Sequence, residues 1–262
     1  MRLSISNIAW EENMDEEMYE LMQLLSYNYL EIAPTRIFPK SPYSRIADAG
    51  RWYQNLLANF GISVSSMQSI WFGRTENIFT SDHERQILID YTKKAIEFAE
   101  SINCKNLVFG CPQNRILPDS IDANIAIPFF KIIGDYAYEH NTVIGFEANP
   151  TIYKTNFINT TSSAIELINV VQSPGFKLNL DIGTMIANNE DVKVIEDNLD
   201  LINHVHISEP YLEKIQNRAL HNNIASLLIK NNYNRCISIE MKKGCSKSEL
   251  TEIMKYIKNL FD

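Results

Sequence analysis

Four ionisable residues stand at the same place in four consecutive segments of the chain. Glu147 ends the apolar run of "GFEANP", Asp181 that of "LNLDIG" and Glu240 that of "ISIEM", while His206 sits in "HVHIS". A charge so placed is costly unless it is paired or bound to a cation. Three carboxylates cannot neutralise one another; crowded together they repel and take up protons. A single divalent cation removes the difficulty. Three oxygen donors and one imidazole suit Mn²⁺, Co²⁺ or Mg²⁺, and admit Zn²⁺. Each residue alone has a plainer reading: an Asp capping a helix, a Glu paired with Lys or Arg, a satisfied core histidine. Four in succession favour one shared metal site.

The elements that must position them follow a rhythm of short β-rich run, polar turn and longer helical stretch. The runs are "LSISNIA", "YLEIAP", "ISVSSMQS", "NLVFGCP", "TVIGFEANP", "FKLNLDIG", "INHVHISEP" and "RCISIEM". Helical spacing follows each. It begins near Glu12, and a second stretch carrying Trp52, Leu56 and Phe60 is stopped by Gly61. Further helices are expected from a cap at Ser81 or Asp82 to Ile102, and near Asp119–His140, Ser162–Val171, Asp191–Leu199, Leu220–Asn231 and Lys247–Leu260. Nearly continuous apolar strands are those of a parallel sheet buried on both faces. Eight βα units in 262 residues predict a single-domain (β/α)₈ TIM barrel. An open doubly wound sheet is the rival, but "SNIAWEEN" after the first strand has no glycine-rich phosphate turn. In a barrel, the chemistry belongs at the carboxyl ends of the strands, where these four residues fall.

Composition narrows the partners. The net charge of −8 opposes binding to a phosphate backbone, so nucleic acid is not expected as a partner. The four cysteines, Cys104, Cys111, Cys236 and Cys245, show no metal or redox spacing and read as reduced thiols. "MRLSISNIAWEEN" reaches acidic residues too early for a signal peptide, and no apolar run approaches the ~20 residues needed to span a bilayer. The chain is therefore expected to be soluble and cytoplasmic, away from membranes, with its Asn159 sequon idle.

Taken together, "FEANP", "LNLDIG", "HVHIS" and "ISIEM", with "NLVFGCPQNR" and "MQSIW", resemble the sugar phosphate isomerase/epimerase group of xylose-isomerase-like TIM barrels. The resemblance runs the length of the chain. It implies that Glu147, Asp181, His206 and Glu240 hold one divalent cation, with His204 a supporting neighbour of His206. It also implies isomerase or epimerase chemistry on a sugar or sugar phosphate, by proton transfer next to a carbonyl through an enediolate on the cation. Glu147 and Glu240 would act as ligands and as acid/bases. Barrels of this group often pair, so a homodimer is compatible. One departure is notable: Thr184 stands where many members carry a histidine that helps hold substrate, which sets the chain apart from the familiar ketose 3-epimerases.

Other residues are candidates for shaping a pocket. Gln68, Asn149 and Tyr153 follow strands three and five, and Glu209 lies three residues past His206. Arg36 and Arg115 lie beyond strands two and four, placed to meet a substrate phosphate or carboxylate, with a loop salt bridge as the alternative. Rival activities are a dehydratase on the same metal site, a non-catalytic sugar-binding barrel and a multinuclear-zinc phosphodiesterase of the endonuclease IV type. Five histidines are too few for the last.

Overall fold

The structure, a computed structural model, describes residues 1–261. The strands are β1 (Arg2–Ser6), β2 (Tyr29–Ile32), β3 (Ser63–Met67), β4 (Leu107–Phe109), β5 (Ile144–Phe146), β6 (Phe176–Asp181), β7 (Ile202–Ile207) and β8 (Cys236–Ile239). All pair in parallel and in chain order, and β8 returns to β1 to close the barrel. Closure leaves no open edge, so every strand is hydrogen-bonded on both sides.

The helices are α1 (Asp15–Leu24), α2 (Pro34–Ile37), α3 (Ile46–Phe60), α4 (Asp82–Ser101), α5 (Ala126–Glu139), α6 (Thr161–Val171), α7 (Ile182–Asn188), α8 (Lys193–Glu196), α9 (Ala219–Lys230) and α10 (Lys247–Phe261). Local chemistry sets several boundaries. Gly61 ends α3 at φ 65°, a left-handed position that glycine takes without Cβ strain. The Ser81 hydroxyl caps α4 by accepting from the Glu84 N–H, and Thr160 with Ser163 forms a capping box on α6. Between barrel and α5, Phe109, Phe130, Phe146 and Phe176 form a packed aromatic group.

Two helices depart from expectation. The fifth starts at Ala126 rather than near Asp119, because a separate turn capped by Asp122 precedes it. In the sixth unit, the helix expected over Asp191–Leu199 is only the single turn α8. The main helix, α7, starts directly after β6 with Asp181 as its cap. No helix among the described residues is long and apolar enough to cross a membrane.

Candidate metal centre and substrate cavity

β5, β6, β7 and β8 each carry one member of the cluster to the same mouth of the barrel. Asp181 is the last residue of β6 and His206 lies one from the end of β7, while Glu147 and Glu240 follow β5 and β8 directly. Each offers a ligand atom, and the four atoms lie within 4.8 Å of one another. His206 Nδ1 is 3.1 Å from Glu147 Oε2 and 3.1 Å from Glu240 Oε2. The His206 side chain is fully buried, and those of Glu147 and Glu240 are about nine-tenths buried.

The carboxylates are held by neutral donors. Glu147 accepts from Asn149 Nδ2 at 3.0 Å on Oε1 and from Asn179 Nδ2 at 2.8 Å on Oε2. Asp181 accepts from the Thr184 N–H at 2.5 Å on Oδ1 and from the Ser208 hydroxyl on Oδ2. Two glycines make room. A Cβ on Gly110 would stand 3.1 Å from Glu147 Oε1, and one on Gly183 only 2.7 Å from Ser208 Oγ. The second would force apart the pair that orients Asp181.

Crowding and burial show in the protonation behaviour. Burial, then the neighbouring Glu147, pushes Asp181 up to about 6. Burial pushes Glu240 up to about 7, against the pull of His206. Burial would discharge His206, but Glu240, Glu31 and Glu147 outweigh it and hold the imidazole well above its ordinary value. Burial and one another's charges hold Asp181, Glu240 and His206 toward their protonated forms, and no Lys or Arg ion-pairs with them among the described residues. Three carboxyl oxygens and one imidazole nitrogen converging on one spot fit a divalent cation, which would replace those protons.

Above the cluster opens a cavity of about 200 Å³. Of the six expected pocket residues Gln68, Asn149 and Tyr153 line it, as do Ser208 and Leu212. Gln68 is fixed by donating to Ser6 Oγ at 3.0 Å and accepting from Ser69 Oγ at 2.7 Å. The Tyr153 hydroxyl accepts from the Tyr211 N–H at 2.8 Å, tying the loop after β5 to the loop after β7.

Three expected pocket residues are not brought to the cavity. Arg36 pairs with Asp15 at 2.6 Å and lies by Trp10 in a separate groove. Arg115 is fully buried behind the site, donating to Asn149 Oδ1 at 2.7 Å and the Glu147 carbonyl at 3.0 Å. Glu209 is bound by Arg218 and accepts from the Gln216 N–H at 3.0 Å. Arg36 and Glu209 are thus paired with opposite charges, whereas Arg115 meets only neutral acceptors. Thr184 is likewise engaged, its hydroxyl donating to the Ala148 carbonyl at 2.8 Å.

Glu31, Asn179 and Ser208 were not anticipated. Glu31 is a carboxylate inside the apolar "YLEIA" run, a signal of the same kind as the four strand-end residues. The fully buried Glu31 Oε2 lies 2.8 Å from His206 Nε2 and 3.2 Å from His204 Nε2. Burial alone would raise this carboxyl; the two histidines outweigh it and hold it far below the usual range. His204, expected as a supporting neighbour, thus meets the site through Glu31.

The fold is a closed (β/α)₈ barrel, and an acid-and-histidine cluster that could hold a metal stands at the carboxyl ends of its last four strands. The chain belongs to the xylose isomerase-like TIM barrel family, whose model matches residues 20–260. No curated protein matches it. Among solved structures it is similar to the apo form of 3-keto-D-glucoside 4-epimerase YcjR from E. coli (TM-score 0.76, 16% identity, 99% of each chain covered). It is also similar to D-psicose 3-epimerase with D-tagatose from Clostridium cellulolyticum H10 (0.78, 13%, 100% of each). A third similar structure is the IolI protein with a bound zinc atom (0.71, 15%, 99% of this chain and 96% of that one). At these identities the likeness is one of fold.

Proposed function

We propose that this protein is a divalent-cation-dependent isomerase or epimerase of a small sugar, moving a proton next to a carbonyl. The observation that carries the reading is the convergence of Glu147, Asp181, His206 and Glu240 within 4.8 Å at the floor of a sugar-sized cavity. Sugar epimerases among the similar structures support it. Glu147, Asp181, His206 and Glu240 would hold the cation. When bound, it supplies Lewis acidity to a substrate carbonyl and leaves the substrate's α-hydrogen easier to remove. Mn²⁺, Co²⁺ and Mg²⁺ suit the oxygen-rich set, and the zinc of IolI keeps Zn²⁺ in the comparison.

The residues of this chain divide the remaining work. Glu147 and Glu240 enter from strands three apart and flank the cavity floor, so each can hold or take a proton on its own side of a sugar. Asn149 and Asn179 orient Glu147, and Ser208 and the Thr184 N–H orient Asp181. Gln68, Asn149, Tyr153 and Ser208 offer neutral hydrogen-bonding groups to sugar hydroxyls. The cavity lining contains no Lys or Arg. In the groove that shares Ser69, Cys111 and Pro112 with the cavity, Arg74 already pairs with Glu76. A phosphate would find no free cation on the protein there, so the substrate is a free rather than a phosphorylated sugar.

The test is solvent deuterium exchange into a panel of free ketoses, with Mn²⁺ or Co²⁺ added. Exchange should occur with the native chain and be abolished in Glu147→Gln and Glu240→Gln. Exchange unchanged in both variants overturns their assignment as acid and base.

A further inference from the structure

The pair His204 and His206 closes on Glu31, which comes from β2, a strand that touches neither β6 nor β7 in the sheet. Glu31 therefore reaches across the barrel interior. The β2–β3 register shifts between Leu30 and Glu31, an irregularity of the kind that re-aims a side chain. All three side chains are buried, at 1% exposure or less, and no Lys or Arg reaches Glu31 among the described residues. Among the described residues Glu31 Oε1 has no hydrogen-bond partner, and Oε2 makes one hydrogen bond, with His206, and ion-pair contacts with both rings.

Such a carboxylate is costly to bury unless it is paired and hydrogen-bonded. The geometry at His206 shows what it does. Nε2 faces Glu31 at 2.8 Å, while Nδ1 faces Glu147 and Glu240 at the cavity floor. A neutral imidazole carries one ring proton. With that proton on Nε2 and donated to Glu31, the Nδ1 lone pair is free and aimed at the carboxylate cluster.

We infer that Glu31 is a positioning residue for the cation: it fixes the His206 tautomer and ring orientation and makes Nδ1 a stronger donor. His204 Nε2 lies within ion-pair distance of the same oxygen, at 3.2 Å. The inference rests on the metal-site reading above and adds to it a fifth, non-ligating residue, of a type whose loss typically costs about 10–100-fold in metal affinity.

The experiment compares Co²⁺ and Mn²⁺ affinity of the native chain and Glu31→Gln by titration calorimetry. Glu31→Gln keeps the shape and removes the charge. The expected result is an affinity lower by about tenfold or more, with far-UV circular dichroism and thermal unfolding of the cation-free protein preserved. In the diamagnetic Zn²⁺ form, ¹⁵N-histidine NMR should find His206 protonated on Nε2 and metal-bound through Nδ1. Affinity within twofold of native overturns the inference, as does a His206 protonated on Nδ1 in the Zn²⁺ form. A loss of affinity matched by loss of folded structure also counts against it, since the role would then be structural. Native protein that binds neither Co²⁺ nor Mn²⁺ sinks the metal-site reading itself, a result distinct from a Glu31→Gln variant that binds as the native chain does.

Discussion

The two halves of the barrel interior solve the burial of polar groups in opposite ways. Around β1, β3 and β4 the inward polar residues are neutral. Ser4 and Ser65 share a 2.7 Å hydrogen bond, Ser238 reaches Ser4 at 3.4 Å, and Asn106 donates to Ser66 at 3.0 Å. Neutral hydroxyls and amides satisfy one another and need nothing more. Around β5 to β8 neutral residues such as Asn179 and Ser238 are joined by acids and a histidine, and burial with mutual charge raises Asp181, Glu240 and His206 above their ordinary values. The serines and asparagine of the first network pair with one another. The second gathers the acids and the histidine that could hold a cation.

The sharpest break between the halves is catalytic. Glu240→Gln should reduce turnover by about 10²–10⁴-fold, the usual loss when a positioned acid or base is removed. Measured kcat on an exchanging ketose decides it, and a variant within tenfold of native would place the acid/base elsewhere. The same kinetics should show the free ketose preferred over its terminal phosphate ester. A preference for the ester would overturn the free-sugar assignment and leave the metal site standing.

The next contrast is in stability against pH. Asp181 and Glu240 sit at about 6 and about 7 when folded, above their ordinary carboxylate values, so the folded chain binds more protons than the unfolded chain between about pH 4 and 7. Raising pH through that window destabilises the cation-free fold. His206, held well above its ordinary value, acts in the same direction, its contribution fading as pH rises through its folded pKa. Buried His204 and His221, both lowered by burial and His221 to about 4, act oppositely as pH rises toward the ordinary imidazole value. The depressed Glu31 does so only as pH falls below the ordinary carboxylate range. The three raised groups outnumber them above pH 5.5. The cation-free protein should therefore melt lower at pH 8 than at pH 5.5. Cation at about 1,000 times Kd should return about 4 kcal/mol at pH 8 and far less at pH 5.5, where protons compete. Calorimetric melts with chelator and with Mn²⁺ measure this, and equal cation-free melting at the two pH values would refute it.

What could be read from the sequence follows the same division. An acid that interrupts an apolar strand advertises itself, so Glu147, Asp181 and Glu240 stand out, and with them the eight-unit rhythm that places them. Glu31 sends the same signal, but its partners lie across the barrel on β7, and no local pattern pairs β2 with β7. Arg36, Arg115 and Glu209 read as pocket candidates for a related reason: the chain shows the charged side chain but not the distant group that engages it. Asp15 lies 21 residues from Arg36, and Asn149 lies 34 from Arg115. α7 was missed because its seven residues start directly from the strand-end Asp181, too short for a helical period to register against the strand before it.

Arg115 tests how far the acidic half extends behind its visible groups. Its guanidinium fixes which end of the Asn149 amide faces Glu147, and burial lowers it to about 10. Arg115→Met would leave Asn149 Oδ1 and the Glu147 carbonyl without this donor. A stability loss of about 1–3 kcal/mol is expected from the unpaired acceptors. Turnover should fall about tenfold as Glu147 loses its fixed orientation, a smaller effect than removing Glu240 itself. Native kcat in a folded variant would show that Asn149 needs no such hold.

The smallest effect is expected in the neutral half, and it separates a finished hydrogen-bond network from a functional one. Ser4→Ala removes one partner of a buried pair and leaves the Ser65 hydroxyl facing carbon, at a cost of about 1–2 kcal/mol. Ser4→Ala with Ser65→Ala removes both partners, so the second substitution should recover part of the loss instead of adding to it. Cation affinity and kcat should remain native in both variants, because no hydrogen bond links either serine to the four ligand residues. Denaturant unfolding of the single and double variants measures the coupling. Strict additivity, or a change in cation affinity, would mean that the two halves are not independent and that the serines help hold the metal centre in place.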